Sequence, residues 1–216
     1  MCKYNTVLFD LDGTLTDPAL GITNSAAYAL KKWGIEVSDR TELYKFIGPP
    51  LLDSFKNYYG FTREDSERAV EYFREYFSTK GMFENSVYEG IRQVLSELRK
   101  SGKRLIVATS KAEIFAKKIL EHFELSGYFD FVSGATLDSS RVEKADVIQY
   151  ALDCCGITDV ARVVMIGDRE YDVFGAAHFG IDSVGVLYGY GSKEELTAAG
   201  ATYIAQTPLD ILNIVK

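Results

Sequence analysis

Short runs of apolar residues alternate along the chain with longer segments in which apolar residues recur at helical spacing. The short runs are predicted strands, at residues 6–10, 104–108, 131–133, 163–166, 183–186 and 203–205. Nearly every position in them is apolar, rather than every second one, which is typical of strands covered on both faces of a sheet.

Helical periodicity fills most of the intervals between these strands. It is clearest over residues 88–101, 111–123 and 143–155, where apolar residues return every three or four positions. Strands that alternate with helices indicate a parallel sheet with right-handed crossovers. The pattern therefore predicts an α/β fold with a doubly wound, Rossmann-like parallel-sheet core.

One stretch shows no strand pattern and is predicted to contain helices only, at residues 18–33, 40–46, 50–59 and 62–80. It follows the first strand directly, and ligands of doubly wound folds bind outside the carboxyl ends of the strands. We therefore predict a core of residues 1–16 and 86–216, with a small all-helical cap domain at 17–85.

Composition and net charge limit the kinds of molecule that this chain is expected to bind. The 216 residues are 47% hydrophobic and carry a formal net charge of -7, which disfavours binding to a nucleic-acid polymer. We see no apolar run long enough to cross a membrane, no signal peptide and no spaced cysteine pair among Cys2, Cys154 and Cys155. The expectation is a cytoplasmic protein, either monomer or homodimer.

Two carboxylates, Asp10 and Asp12, follow the first predicted strand and precede Gly13. Like charges this close in a turn raise each other's pKa or attract a cation. Gly13 permits a backbone shape that brings amide groups near a bound anion. An ordinary Asx turn is the simpler interpretation. A calcium loop of the EF-hand type needs further acidic ligands, and this segment lacks them.

A second pair of acidic residues follows the strand at 163–166. Asp168 is expected at the same edge of the sheet as Asp10 and Asp12, and an oxygen-only set of ligands suits Mg²⁺. Asp172 is expected to support this metal site, to cap a helix over residues 173–179, or both.

Hydroxyl groups and one lysine complete the candidate chemistry. Thr109 and Ser110 follow the strand at 104–108, where a hydroxyl caps a helix or, with free amide groups, binds phosphate. Lys144 opens a predicted helix against the helix dipole, which suggests that another charge holds it there. A solvated lysine is the alternative.

Taken in order, these motifs resemble the haloacid dehalogenase superfamily. Residues 10–14 match its Asp-x-Asp-Gly-Thr motif, Thr109 its second motif, Lys144 its lysine, and residues 167–172 its Gly-Asp-x-x-x-Asp motif. The helical insert resembles the smaller helical caps of the family. Residues 46–51 and 167–172 further resemble the phosphoglycolate phosphatase group, whose relatives include 5′-nucleotidases and pyrophosphatases.

The resemblance implies a magnesium-dependent phosphatase acting on a small phosphorylated metabolite. It implies that Asp10 attacks phosphorus to form an aspartyl-phosphate, and that Asp12 exchanges protons with the leaving group and with water. Mg²⁺ is expected on Asp10, Asp168 and the Asp12 backbone carbonyl, while Thr109 and Lys144 hold phosphoryl oxygens.

Substrate choice stays open at this point. Lys45 and Gly48 in the cap, and Arg169 beside the metal site, are candidates for specificity, although Lys45 reads equally well as a surface lysine and Arg169 as a partner of a nearby carboxylate. Phosphoglycolate and nucleoside 5′-monophosphates are the expected substrates. The alternatives are a sugar phosphomutase of the β-phosphoglucomutase type, an inorganic pyrophosphatase, and a non-catalytic phosphate-binding regulator.

Overall fold

A computed structural model describes residues 3–138 and 140–215. Cys2 lies outside the described residues. The chain forms two compact units, one of the described residues up to Asp17 together with those from Val87 onward, the other of Pro18–Ser86. The sequence places the corresponding boundaries after residues 16 and 85, and that the helical unit acts as a cap remains a prediction.

The strands of the described chain are β1 Thr6–Phe9, β2 Thr16–Asp17, β3 Ser86–Val87, β4 Arg104–Ala112, β5 Phe131–Ala135, β6 Val163–Gly167, β7 Asp182–Val186 and β8 Tyr203–Ala205. Six of them form a sheet in the order β5-β4-β1-β6-β7-β8, paired in parallel, and β2 pairs with β3. The predicted doubly wound α/β core is thus confirmed.

The pairing register places the end of β1 beside equivalent positions of β4 and β6. Phe9, the last residue of β1, lies beside Val107 of β4 and Ile166 of β6. Because the strands are parallel, the residues that follow each of these positions emerge together at the carboxyl edge of the sheet. This edge receives Asp10, Thr109 and Asp168.

Helices cover the sheet, at α4 Ile91–Lys100, α5 Glu113–His122, α6 Lys144–Cys154, α7 Glu170–His178, α8 Lys193–Ala198 and α9 Asp210–Val215. Apolar residues of α6 and α7, among them Val147, Ile148 and Ala176, pack on Leu8 and Met165 of the sheet in one buried cluster. Burial of these apolar side chains drives the packing of helices against the sheet.

The helical unit comprises α1 Ala19–Lys31, α2 Leu51–Tyr59 and α3 Arg63–Tyr76, with a 3₁₀ helix at Arg40–Phe46 and a π-helical turn at Phe77–Gly81. Its interior is aromatic: Phe55 stacks on Phe61 with ring centroids 5.9 Å apart, and Phe46 meets Phe55 edge-on at 5.0 Å. Thr62 caps α3 by accepting a hydrogen bond from the Asp65 amide.

Three predicted helix starts are wrong. The helix expected at residue 88 begins at Ile91. The helix expected at residue 111 begins at Glu113, because β4 continues to Ala112. The helix expected at residue 173 begins at Glu170, which places Asp172 inside its first turn. Within the described residues, none of the helices is both long enough and apolar enough to cross a bilayer.

Candidate active site

The loop after β1 carries the first group of functional side chains. Asp10 is nine-tenths buried, and its amide donates to the Ile166 carbonyl at 2.9 Å, which ties the loop to β6. Gly13 has φ +79°, and a Cβ there would lie 2.1 Å from Asp168 Oδ2. Only glycine therefore allows the first loop to lie against Asp168.

Asp168 lies in the loop after β6 and Asp172 lies in the first turn of α7, and both are buried. Asp172 Oδ2 accepts from the Arg169 amide at 3.2 Å, so this carboxylate satisfies a free N–H group at the start of α7. Its other oxygen lies 2.6 Å from Lys144 Nζ. Asp172 thus caps its own helix and also faces the site.

Lys144, the first residue of α6, is buried among acceptors. Its Nζ lies 3.0 Å from Asp10 Oδ1 and 2.6 Å from Asp172 Oδ1, and it donates to the Ala108 carbonyl at 3.1 Å. Burial by itself would lower the pKa of Lys144, but Asp10 and Asp172 outweigh it and raise that pKa above its ordinary value. The ammonium group is charged at neutral pH.

Three carboxylates converge at this edge. Oxygens of Asp10, Asp168 and Asp172 all lie within 4.8 Å of one another, the grouping of potential metal ligands found in the described part of the chain. Burial, then repulsion from Asp172 and Asp10, raises the pKa of Asp168 well above its usual range. Lys144 offsets one of the three negative charges when all are ionised, so the site favours a further cation.

The residues present fit a divalent metal ion. Asp168 Oδ1 is buried and accepts no hydrogen bond, while Asp168 Oδ2 accepts from the Tyr190 amide at 2.8 Å. A buried carboxylate oxygen without a partner is costly unless something outside the chain binds it. Buried oxygen ligands of this kind are those that hard cations such as Mg²⁺ prefer.

The Asp12 side chain makes a separate ion pair. Its Oδ2 lies 2.6 Å from Lys111 Nζ, and both side chains are largely buried. Burial raises the pKa of Asp12, although Lys111 opposes that shift. The Asp12 side chain does not belong to the group of described carboxylates that could hold a metal ion. Lys111 was missed by the sequence reasoning, although it directly follows the Thr109-Ser110 motif.

Thr109 and Ser110 lie within β4 rather than at a helix start, so the helix-capping alternative for them is wrong. Thr109 pairs with Gly134 of β5, and an irregularity in the pairing carries the strand on to Ala112. Thr109 is buried, and its hydroxyl accepts from the Lys111 amide at 3.3 Å. Pairing of Thr109 and Ala112 with β5 keeps this stretch extended, and the first helical residue is Glu113.

The remaining candidates have local partners. Arg169 Nε donates to Glu195 Oε1 at 2.8 Å. Lys45 belongs to the helical unit, where its Nζ lies 4.9 Å from the ring centroids of Tyr58 and Tyr59. Gly48, in the same unit, has φ +106°. The specificity roles of all three remain predictions.

Residues 7–186 match the family model described as haloacid dehalogenase-like hydrolase. The chain belongs to this hydrolase family. The predicted recognition is therefore confirmed, and so is the predicted class of enzyme, a phosphatase of the haloacid dehalogenase type.

Named relatives span nearly the whole of this hydrolase. It is 43% identical over 201 residues to a 5′-nucleotidase of Pseudomonas aeruginosa, covering 93% of this chain and 90% of the relative. It is 40% identical over 198 residues to a tyrosine-protein kinase, PtkA, of Mycobacterium tuberculosis, covering 92% and 67%. A crystal structure of a predicted phosphatase from Clostridium acetobutylicum superimposes with a TM-score of 0.93 at 52% identity, covering 97% and 99%.

A loop after β7 also shapes the site of this hydrolase. The Tyr190 hydroxyl donates to Asp17, Tyr188 donates to the Thr14 carbonyl at 3.0 Å, and the Tyr190 amide holds Asp168. A Cβ on Gly189 would lie 2.3 Å from the Gly13 carbonyl oxygen. The sequence reasoning missed this loop, although its Tyr-Gly-Tyr-Gly run is a turn signal directly after a strand.

Proposed function

We propose that the protein is a Mg²⁺-dependent phosphomonoesterase that acts through a phosphorylated Asp10. The observation that supports this most strongly is the buried group formed by Asp10, Asp168, Asp172 and Lys144 at the carboxyl edge of the sheet. It places a carboxylate nucleophile beside a cation and beside oxygens suited to a metal ion. Such a site can bring a nucleophilic anion and a phosphate together.

In the first step, Asp10 forms a bond to phosphorus as the bond from phosphorus to the substrate oxygen breaks. The leaving oxygen takes a proton from Asp12, and Asp12 later removes a proton from the water that hydrolyses the aspartyl-phosphate. Lys144 stabilises negative charge beside Asp10. Thr109, Ser110 and the amide groups near Gly13 are proposed to hold the phosphoryl oxygens.

Asp10 and Asp168, with the Asp12 backbone carbonyl, would hold the Mg²⁺, and Asp172 would support them. The ion neutralises charge on the transferring phosphoryl group when it is bound. The Tyr190 amide orients Asp168, and the Arg169 amide orients Asp172, so both carboxylates are fixed before any ligand arrives.

Nucleoside 5′-monophosphates are the substrate class we favour, because the 43% identical relative is named a 5′-nucleotidase. Phosphoglycolate is the second candidate within the same reaction. A pyrophosphatase is less supported, since relatives named pyrophosphatase are 28% identical to this chain.

One screen tests the proposal. The purified protein is incubated with nucleoside monophosphates, phosphoglycolate, pyrophosphate and sugar phosphates, with Mg²⁺ or with a chelator, and free phosphate is measured. We expect Mg²⁺-dependent phosphate release, highest with a 5′-monophosphate. An isomerised sugar phosphate with little free phosphate would indicate a mutase instead. Absence of turnover across the panel would contradict the proposal and favour a binding protein.

The loop at Gly189 provides a further prediction. Gly189→Ala is expected to displace the loop, because the new Cβ would overlap the Gly13 carbonyl oxygen and Asp168. Without the Tyr190 amide, Asp168 loses its orientation, and we expect the Mg²⁺ concentration for half-maximal activity to rise by about 10- to 100-fold. Gly127→Ala is the matched control, since a Cβ there meets nothing within 4 Å. Equal Mg²⁺ requirements in the two variants would show that the loop has no such role.

A further inference from the structure

The ion pair between Lys111 and Asp12 is the feature that the proposed reaction leaves unexplained. Lys111 lies near the end of β4 and Asp12 in the loop after β1, so the pair joins neighbouring strands at the site. The side chains are 8% and 13% exposed, and the distance from Nζ to Oδ2 is 2.6 Å. The other oxygen, Asp12 Oδ1, is buried and accepts no hydrogen bond.

Stability alone accounts poorly for this pair. Removing two charges from water costs several kcal/mol per ion, and a buried ion pair often stabilises a fold no more than apolar residues of similar size would. The pair does fix geometry: one oxygen of Asp12 is held, and the other is left without a protein partner. A carboxylate restrained in this way is oriented for proton exchange with a group outside the chain.

We propose that Lys111 is a positioning residue that orients Asp12, so that Oδ1 exchanges the proton with the leaving group. The inference rests on the proposed function, in which Asp12 is the acid and base. The site thus carries one lysine for each aspartate of the first motif. Lys144 contacts the nucleophile Asp10, and Lys111 contacts Asp12.

The leaving group of the substrate provides the test. p-Nitrophenolate leaves without taking up a proton, whereas an alkoxide leaves only when an acid protonates it. Only hydrolysis of the alkyl ester therefore depends on the acid. We measure kcat/KM of Lys111→Met with p-nitrophenyl phosphate and with an alkyl phosphate such as glycerol phosphate. The expected loss is about 10²-fold on the alkyl phosphate, the size of effect that misplacing a catalytic group produces, with little change on the aryl phosphate.

Two further variants separate positioning from other effects. Lys117→Met is the matched control, because Lys117 forms an exposed ion pair with Glu113 on the adjoining helix α5. This variant should leave kcat/KM unchanged for both substrates. In a double variant of Asp12→Asn with Lys111→Met, activity on the alkyl phosphate should equal that of Asp12→Asn alone, because Lys111 acts through Asp12.

Equal losses on the two substrates would overturn the proposal and assign Lys111 to direct phosphate binding. Additive losses in the double variant would overturn it as well. If Lys111→Met unfolds, Lys111→Arg keeps the charge and should retain the same leaving-group selectivity in weaker form; unselective loss there would also contradict the proposal. A separate result tests the proposed function itself: if Asp12→Asn lowers kcat/KM equally for the aryl and the alkyl phosphate, Asp12 is not the acid.

Discussion

Asp10→Asn is expected to abolish phosphatase activity, with kcat falling by at least about 10⁴-fold, since loss of a covalent nucleophile removes the reaction path itself. The substitution keeps the shape of the side chain and replaces a carboxylate oxygen by a poorly nucleophilic amide. Lys144 retains its contact with Asp172 at 2.6 Å, so the local structure should persist. Initial rates with p-nitrophenyl phosphate and saturating Mg²⁺ measure the effect.

The control for this variant is Asp146→Asn, which removes an exposed carboxylate from the first turn of α6. It should leave the rates unchanged. Circular dichroism and thermal unfolding should show that the Asp10 variant is folded. Activity within tenfold of the unsubstituted protein would refute the assignment of Asp10 as nucleophile.

Asp168→Asn is expected to remove the response of the protein to Mg²⁺. In the unsubstituted protein, Mg²⁺ at about 100 times its Kd should add about 2.7 kcal/mol and raise the unfolding temperature by about 5 to 10 °C. The variant lacks the ligand whose Oδ1 is buried and without a hydrogen bond, so the rise should vanish. Thermal unfolding with and without Mg²⁺ measures this without reference to activity.

The same carboxylate makes the effect of Mg²⁺ depend on pH. The pKa of Asp168 is raised in the folded chain, so its contribution to stability is complete below its unfolded pKa of about 4 and is lost as pH rises through the folded pKa. The metal-free protein should therefore become less stable as pH rises above that range. Mg²⁺ binds the ionised form and offsets the loss, so its stabilising effect should be larger at pH 8 than at pH 5.

The variant and its control separate this account from a general effect of charge. Metal-free Asp168→Asn should unfold at a higher temperature than the unsubstituted protein at pH 8, because one of three clustered carboxylates is gone. Asp146→Asn should keep the full response to Mg²⁺. An unchanged Mg²⁺ shift in Asp168→Asn would show that the ion binds elsewhere.

The core was predictable from sequence because its physical signal is local. The apolar runs at β1 and β6 are buried on both faces, and a parallel sheet leaves few other arrangements for them. The convergence of Asp10 and Asp168 followed from the same reasoning, since parallel strands end at a common edge. The register between β1 and β6 places their ends side by side.

Features that depend on long-range contacts were not predictable in this way. Helical spacing from residue 111 onward is real, but pairing with β5 extends β4 as far as Ala112, and sequence periodicity does not report pairing. Lys111 was missed because only the folded chain brings it to Asp12. The loop holding Asp168 acts through the Tyr190 backbone amide, which no side-chain pattern reveals.

The most direct test of the account is where the phosphoryl group resides during turnover. Asp12→Asn should still be phosphorylated by p-nitrophenyl phosphate, whose leaving group needs no acid, but should hydrolyse the aspartyl-phosphate slowly. We expect a stoichiometric burst of p-nitrophenol and, after acid quenching and digestion, a phosphate on the peptide that contains Asp10. Phosphate on a different residue, or steady turnover with neither burst nor phosphorylated peptide, would contradict the central claim.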